Sequence, residues 1–500
     1  MKLFLISLMI FPMTCISQLK IASIFSDNMV LQREKQIPIW GKGLPGKTVS
    51  VSCANTTKAV KVKTDSTWSV YFPAQKANSK PQTIRITSGT SKIELNNILI
   101  GDIWICSGQS NMEWAMSKEI HWKQEKENAS QLLLRFINPL PAGRYVYGIA
   151  YTDSLNRRLT KDSFYLWNGW QVCDSNTIKP MSAVGYYFAK LIVAKENIPI
   201  GLINLSIGGA PLETFINKEA LKKIKQFSSK INGDWLKNDA LPLWPRERGA
   251  QNVGKNTNGY GDETGLNHAY KPGFAFESGI ELLLPMPVKG ILFYQGESNA
   301  QEIDRVYEYA ALSKLMVNDY RKKWKQPQLP FYFVQLSSID TVKYKGQLWP
   351  LFRNEQRKML QLFPYSGMAV CSDVGFKDDV HPTNKKDVGE RLARWALNKT
   401  YKQNVVPSGP LPVKAVYSNG KVIVTFQYIA ERLSTFDGGK LKGFSLDGTN
   451  EAAAILESNR IVIYAEKKPE FVFYGWKSFS DGNLINSEKL PASTFKIRIQ

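Results

Sequence analysis

The stretch that most constrains this chain is Ile98-Leu-Ile-Gly-Asp-Ile-Trp-Ile-Cys-Ser-Gly-Gln-Ser-Asn-Met-Glu-Trp114. An apolar, β-branched run that stops at Ser107-Gly108 predicts a buried strand. Asn111 to Met116 contain no breaker and can open a helix. Such a strand-to-helix turn lifts Ser110 clear of a sheet, where free backbone N–H groups can face it. The spacing is not Gly-x-Ser-x-Gly, so the nucleophile elbow of the α/β-hydrolases is not matched. A serine in this position equally suits a plain turn or a helix cap. Its role therefore depends on what the rest of the chain brings to it.

The sequence on either side divides into three characters. From Leu19 to about Asn97, short β-type segments such as Ile37-Pro-Ile-Trp-Gly41, Thr48-Val-Ser-Val-Ser52 and Trp68-Ser-Val-Tyr-Phe72 are separated by Gly, Pro and Asn/Asp. This predicts a small antiparallel sandwich, residues 18–97, running into the Ser110 strand without a flexible linker. Residues 98–404 alternate strands (199–206, 288–294, 330–336) with helical patterns (182–195, 306–324, 388–397). That alternation predicts an α/β domain with a parallel sheet covered on both faces. Past Pro407-Ser-Gly-Pro410 the β-type alternation resumes, giving an all-β unit over 405–500. Sites in open parallel sheets lie beyond the carboxyl ends of the strands. Ser110, the pair Gly208-Gly209 and Gln295 all follow strand ends directly, so three loops meet at one rim. Gly249 to Asn267, rich in Gly, Asn and charge, reads as a disordered surface insertion, with a flap over the site as the alternative.

Five hundred residues exceed one ordinary core, which agrees with a multi-domain chain. Met1 to Phe11 is one basic residue and an apolar run too short to span a bilayer. It reads as a secretory signal over residues 1–17, cleaved after Ser17, so the product is secreted or periplasmic. Cys15 is preceded by Thr14, which fits a lipidation signal poorly, and no later stretch is apolar enough to cross a membrane. The net charge of +22 comes from lysines spread along the chain, without a dense block or a nucleic-acid-binding module. This excludes nucleic acid as the expected partner and leaves a solvated surface or a preference for acidic glycans. Cys53, Cys106, Cys173 and Cys371 have no metal-ligand spacing and read as buried thiols; no metal site is expected.

Serine nucleophiles need a base and an orienting acid. Only three histidines exist. His121 sits among Lys and Glu in a polar stretch, and His268 lies in the loop-like insertion. His381, in Lys377-Asp-Asp-Val-His-Pro-Thr-Asn384, stands at a strand-end loop behind two carboxylates that can hold one tautomer. It is the candidate base. Asp378, three residues before it, can fold back through a tight turn; Asp379, at two residues, and Asp373, further up the strand, remain open. Glu297 reads as a loop-fixing hydrogen-bond partner. Trp104 reads as core, and Trp114 as a platform beside Ser110.

The order Gly-Gln-Ser-Asn-Met, Gly-Gly, Gln-Gly-Glu-Ser-Asn, Asp-x-x-His-Pro resembles the SGNH hydrolases. More closely, it is similar to the sialate O-acetylesterase branch of the carbohydrate esterases. Ser26-Asp-Asn-Met-Val-Leu-Gln-Arg33, Asp387-Val-Gly-Glu-Arg-Leu-Ala393 and Leu490-Pro-Ala-Ser-Thr-Phe495 carry the likeness across the mature chain. The resemblance implies a flavodoxin-like SGNH domain flanked by β domains. It implies a cofactor-free serine esterase, with Ser110 as nucleophile and His381 as base. The oxyanion donors would be the Ser110 N–H, a backbone N–H of Gly208 or Gly209, and the Gln295 side chain. The substrate would be an O-acetylated glycan or sialic acid. Ile207, Ala210 and Phe274-Ala-Phe-Glu-Ser278 depart from the family pattern and bear on the pocket more than on the reaction.

Overall fold

The computed structural model describes residues 19–256 and 258–500; the expected signal segment, its cleavage after Ser17 and Cys15 lie outside the described residues. The central element is an 18-residue strand, β1 (Ser91–Gly108), with every residue from Ile98 to Gly108 buried. Its first half pairs antiparallel with Asn78–Ser88 of the N-terminal β unit. Its second half, from Asp102, pairs in parallel with β4 (Ile200–Asn204) on one side and β5 (Gly290–Tyr294) on the other. The expected boundary between residues 97 and 98 thus lies inside one continuous strand, and a strand is stiff.

The remaining strands are β2 (Gln131–Ile137), β3 (Gln171–Cys173), β6 (Phe331–Val334) and β7 (Ser366–Ala369). The sheet order is β3-β2-β4-β1-β5-β6-β7, all parallel except β3, which runs antiparallel to β2. β4, β5 and β6 are buried along their whole length. This is why they read as unbroken apolar runs rather than alternating ones. The molecule combines this large mixed sheet with helices and a set of C-terminal β-sheets. β1 lies at the switch point: the chain places β4 on one side of it and β5 on the other. The loop after β1 therefore faces an open crevice.

Two helices set the loops that matter. α2 (Ala183–Glu196) starts at Ser182, whose hydroxyl accepts the Gly185 N–H at 3.1 Å, and stops at the left-handed Asn197. α6 (Lys386–Trp395) crosses it so closely that a Cβ on Gly389 would sit 2.6 Å from the Val184 carbonyl oxygen. Only glycine permits that approach, and it fixes where the His381 loop enters α6.

One hydrophobic core runs from Leu19 through Leu411, joining the N-terminal β unit to the α/β unit; a second spans Ala415 to Ile499. Fully buried Asp102 ties the first two together, accepting from Gln32 Nε2 at 2.8 Å and Arg33 Nε at 3.0 Å. Buried Arg353 on α5 (Trp349–Leu362) donates to the carbonyls of Gly475, Lys477 and Ser478 of the C-terminal unit.

The described residues of 249–267 differ from the expected disordered insertion. Leu243–Val253 is a helix, α3, and Gly261–Asp262 pairs with Gly265–Leu266 in a short hairpin. Asp262 holds that hairpin, taking Lys218 and Lys271 at 2.6 Å each. His268 is buried, not in an open loop: it stacks between Trp235 and Tyr151, and burial pushes its pKa down to about 3. Cys53, Cys106, Cys173 and Cys371 are buried free thiols. Among the described residues no helix is long and apolar enough to cross a membrane.

Candidate active site

β1 ends at Gly108, whose φ of +126° turns the chain out of the sheet. A Cβ there would lie 2.1 Å from the Tyr294 carbonyl oxygen of β5, so a side chain would break the strand pairing. Gln109 follows, and the one-turn helix α1 (Ser110–Glu113) begins at the serine. Ser110 is thereby raised onto the floor of a cavity of about 520 Å³.

His381 reaches it from the loop between β7 and α6. Its Nε2 lies 2.9 Å from Ser110 Oγ, and its Nδ1 lies 3.0 Å from Asp379 Oδ1. Asp379 Oδ1 also accepts the His381 backbone N–H at 2.9 Å, a two-residue Asx turn that locks carboxylate and ring together. Asp378, which the three-residue spacing favoured, points away and pairs with exposed Lys343 at 3.1 Å. Asp373 is also elsewhere, gripped by both terminal nitrogens of Arg391 at 2.7 Å. Burial holds the His381 pKa below its ordinary 6.5, against the opposing pull of Asp379. A ring that is neutral at neutral pH can accept the proton of a serine hydroxyl.

Trp114 stacks on the imidazole, ring centroids 5.5 Å apart and 19° from parallel. It lies against the His381 ring and is not among the residues that line the cavity, so it is not an open sugar platform. Trp104 is fully buried in the core, as expected from its place in β1. His121 pairs with Glu119 at 2.9 Å, away from Ser110.

The strand-end glycines flank the serine. A Cβ on Gly208 would come 3.9 Å from Ser110 Cβ. The Gly208 N–H faces the Glu113 carboxylate, which Arg144 holds at 2.5 Å. The N–H groups of Ser110 and Gly209 have no protein partner among the described residues, and both residues line the cavity. Gly209 is therefore the better-placed donor of the pair.

Gln295 is not where the resemblance put it. It is 1% exposed and does not line the cavity. Its Nε2 donates to Asn299 Oδ1 at 2.8 Å and to Gln109 Oε1 at 3.2 Å, while its Oε1 accepts from Tyr309 at 2.8 Å. Asn299 passes the chain on to Glu213 at 3.0 Å, and Glu213 to buried Lys230 at 3.0 Å. Every polar atom of the Gln295 side chain is engaged in this network. The amide that lines the cavity belongs to Gln109. Its Oε1 accepts from Gln295, Gly296 N–H and Ser298 N–H, which leaves Nε2 without a protein partner among the described residues. Its place between Gly108 and Ser110 was the available signal, and sequence reasoning passed over it. Glu297 is a buried loop anchor, accepting from Asn111 at 2.5 Å.

Aromatic and charged side chains wall the cavity: Tyr147, Trp244, Tyr344, Arg248, Lys343 and Lys345 among them. The Arg248 guanidinium lies 5.6 Å from the Tyr147 ring centre and 5.5 Å from that of Trp244. It has no carboxylate partner among the described residues.

The family model described as carbohydrate esterase, sialic acid-specific acetylesterase, matches residues 277–398. Human sialate O-acetylesterase is 26% identical over 441 residues, covering 82% of this chain and 76% of that protein. The mouse enzyme is 26% identical over 454 residues, covering 81% and 79%. The crystal structure of a carbohydrate acetylesterase from Xanthomonas citri superposes with a TM-score of 0.78 at 28% identity, over 96% of this chain and 99% of that one. These likenesses, found around a cavity that holds Ser110 and His381, support the sialate O-acetylesterase family of carbohydrate esterases for this chain, and it is a carboxylic ester hydrolase.

Proposed function

We propose that this protein is a secreted or periplasmic serine esterase that removes O-acetyl groups from sugars. One observation carries the reading: Ser110 Oγ, His381 and Asp379 are linked by contacts of 2.9 and 3.0 Å at the floor of the cavity. Ser110 Oγ attacks the acetyl carbonyl carbon while His381 Nε2 takes the hydroxyl proton. Asp379 keeps the Nδ1–H tautomer and stabilises the imidazolium that forms. The carbonyl oxygen becomes an oxyanion facing the Ser110 and Gly209 N–H groups, with Gln109 Nε2 as third donor. As the C–O bond to the sugar breaks, His381 returns the proton to the departing hydroxyl. Water, deprotonated by the same histidine, then releases acetate from the acetyl-serine.

The scaffold reading is an SGNH hydrolase with a flavodoxin-like core. With β2 set aside, which lies between β1 and β4 in sequence and pairs with the outer edge of β4, the parallel strands β4-β1-β5-β6-β7 run 2-1-3-4-5, which supports that assignment.

Among acetylated sugars, Arg248 favours one that carries a carboxylate, such as sialic acid, over a neutral polysaccharide. A guanidinium held against two aromatic faces is pre-set for a planar anion. The secretion reading rests on the apolar N-terminal segment alone. Turnover of 4-nitrophenyl acetate and of O-acetyl sialic acid, with Ser110→Ala as control, tests the proposal. Full turnover in that variant overturns the mechanism. Absence of turnover in the wild-type protein would make it a glycan-binding relative instead.

A further inference from the structure

The base sits on a loop, and something must hold its separation from Ser110. The buried side chain of Lys385, four residues past His381, ends against Asn111: Nζ donates to Asn111 Oδ1 at 2.5 Å. The amide nitrogen of Asn111 donates to Glu297 Oε1 at 2.5 Å and to the Val380 carbonyl at 3.0 Å. Asn111 directly follows Ser110, and Val380 directly precedes His381. One amide thus bridges the neighbour of the nucleophile and the neighbour of the base. Its orientation is fixed because its oxygen is claimed by an ammonium and its nitrogen by a carboxylate and a carbonyl. The same ammonium lies 5.4 Å from the centre of the Trp114 ring that stacks on the imidazole.

We propose that Lys385 is a positioning residue of the ester hydrolysis: by holding the Asn111 amide it sets the separation of Ser110 and His381. It touches neither substrate nor reacting atoms. Without it, Asn111 Oδ1 is buried and unpaired, and the amide can turn away from Val380. A shift of about 1 Å between nucleophile and base costs on the order of 10²-fold in rate.

A second consequence is electrostatic. Lys385 faces Glu297, Glu119, Asp379 and the Cys371 thiol; His381 faces Asp379, Lys118 and Lys385. Burial brings the Lys385 pKa down to about 7, and its ammonium form prevails as the pH falls below that, on the acid side where His381 gains its proton. Its charge opposes protonation of the ring. Removing it raises the proton affinity of His381 and moves the acid limb of kcat/KM to higher pH.

The test compares Glu297→Gln with the double variant Glu297→Gln/Lys385→Met. The glutamine keeps an acceptor for Asn111, and the pair leaves no lone ion buried. On 4-nitrophenyl acetate the double variant should fall about 10- to 100-fold in kcat relative to Glu297→Gln, with KM unchanged and the acid limb at higher pH. Equal kcat and coincident pH profiles would overturn the inference, as would a loss carried by KM alone. Should the double variant not melt cooperatively, Asn111→Ala carries the test. A similar kcat loss supports the bridge, and wild-type kcat refutes it. The inference rests on Ser110 and His381 as nucleophile and base. Turnover surviving Ser110→Ala brings that reading down, whereas failure of the present one leaves Ser110→Ala inactive and Lys385 replaceable.

Discussion

Asp378 and Asp379 are chemically identical neighbours, and the structure gives them different partners. Asp379 Oδ1 is 3.0 Å from His381 Nδ1 and 2.9 Å from its backbone N–H. Asp378 makes a 3.1 Å pair with Lys343, both side chains 65% exposed. Asp379→Asn removes the acceptor that fixes the imidazole tautomer, because the amide can present an N–H to Nδ1 instead. In a buried triad that substitution costs about 10⁴-fold in kcat. The Asp379 side chain is 54% exposed, so water already weakens its field, and we expect a loss of about 10²- to 10³-fold. Asp378→Asn breaks only an exposed ion pair and should leave kcat within about twofold. The assay is the kcat and KM of both variants on 4-nitrophenyl acetate, beside melting curves that show both are folded. Equal activity in the two would refute the argument, and so would a crippled Asp378→Asn beside an active Asp379→Asn.

Three further outcomes follow from the site and its supports. Gln109→Ala should lower kcat about 10²- to 10³-fold with KM little changed, since its Nε2 meets charge that appears only in the transition state; a loss carried by KM would make it a binding residue. Arg248→Ala should raise KM about tenfold for an acetylated sugar acid and leave 4-nitrophenyl acetate turnover near wild type; equal effects on both refute its anion-binding role. Lys230→Met leaves Glu213 buried and uncompensated within the Gln295–Asn299 network, so urea unfolding should show a loss of about 3–5 kcal/mol. A change under 1 kcal/mol would mean the pair contributes nothing net.

What the sequence disclosed follows from range. Strand ends are local signals, so Ser110, the Gly208-Gly209 pair and Gln295 could be placed at one rim, and His381 on a strand-end loop, before any contact was known. The choice between Asp378 and Asp379 turned on a local motif as well, but of another kind. The two-residue Asx turn brings Asp379 Oδ1 onto both the backbone and the ring of His381, while a three-residue spacing invites a tighter turn that this loop does not make. Gln295 was misplaced because a polar side chain after a strand looks the same whether it faces a cavity or a buried network. Its partners Tyr309, Asn299 and Gln109 come from three different segments. His268 misled for the same reason: the rings that cage it, Trp235 and Tyr151, are distant in sequence. Nor does residue type tell that Lys385, at the mouth of a helix, has its side chain wholly buried.

The proton affinity of His381 is the resultant of these placements. Burial lowers it most; Asp379 raises it; Lys385 and Lys118 lower it further. Only Asp379 has a part in the proposed proton transfer, yet the cations decide with it the pH at which the base becomes available. A neutral base is needed, so activity rises with pH as His381 loses its proton, and the midpoint should fall below the ordinary 6.5. Taking away Asp379 removes a charge that favours the imidazolium, so the acid limb should move lower still. Taking away Lys385 removes one that disfavours it, so the limb should move up. Both variants lose kcat, and a general loosening of the loop would do the same. Loosening admits water to the ring and would carry both profiles toward the free-imidazole value. Opposite displacements in the two variants are therefore the signature of charge acting on a positioned base.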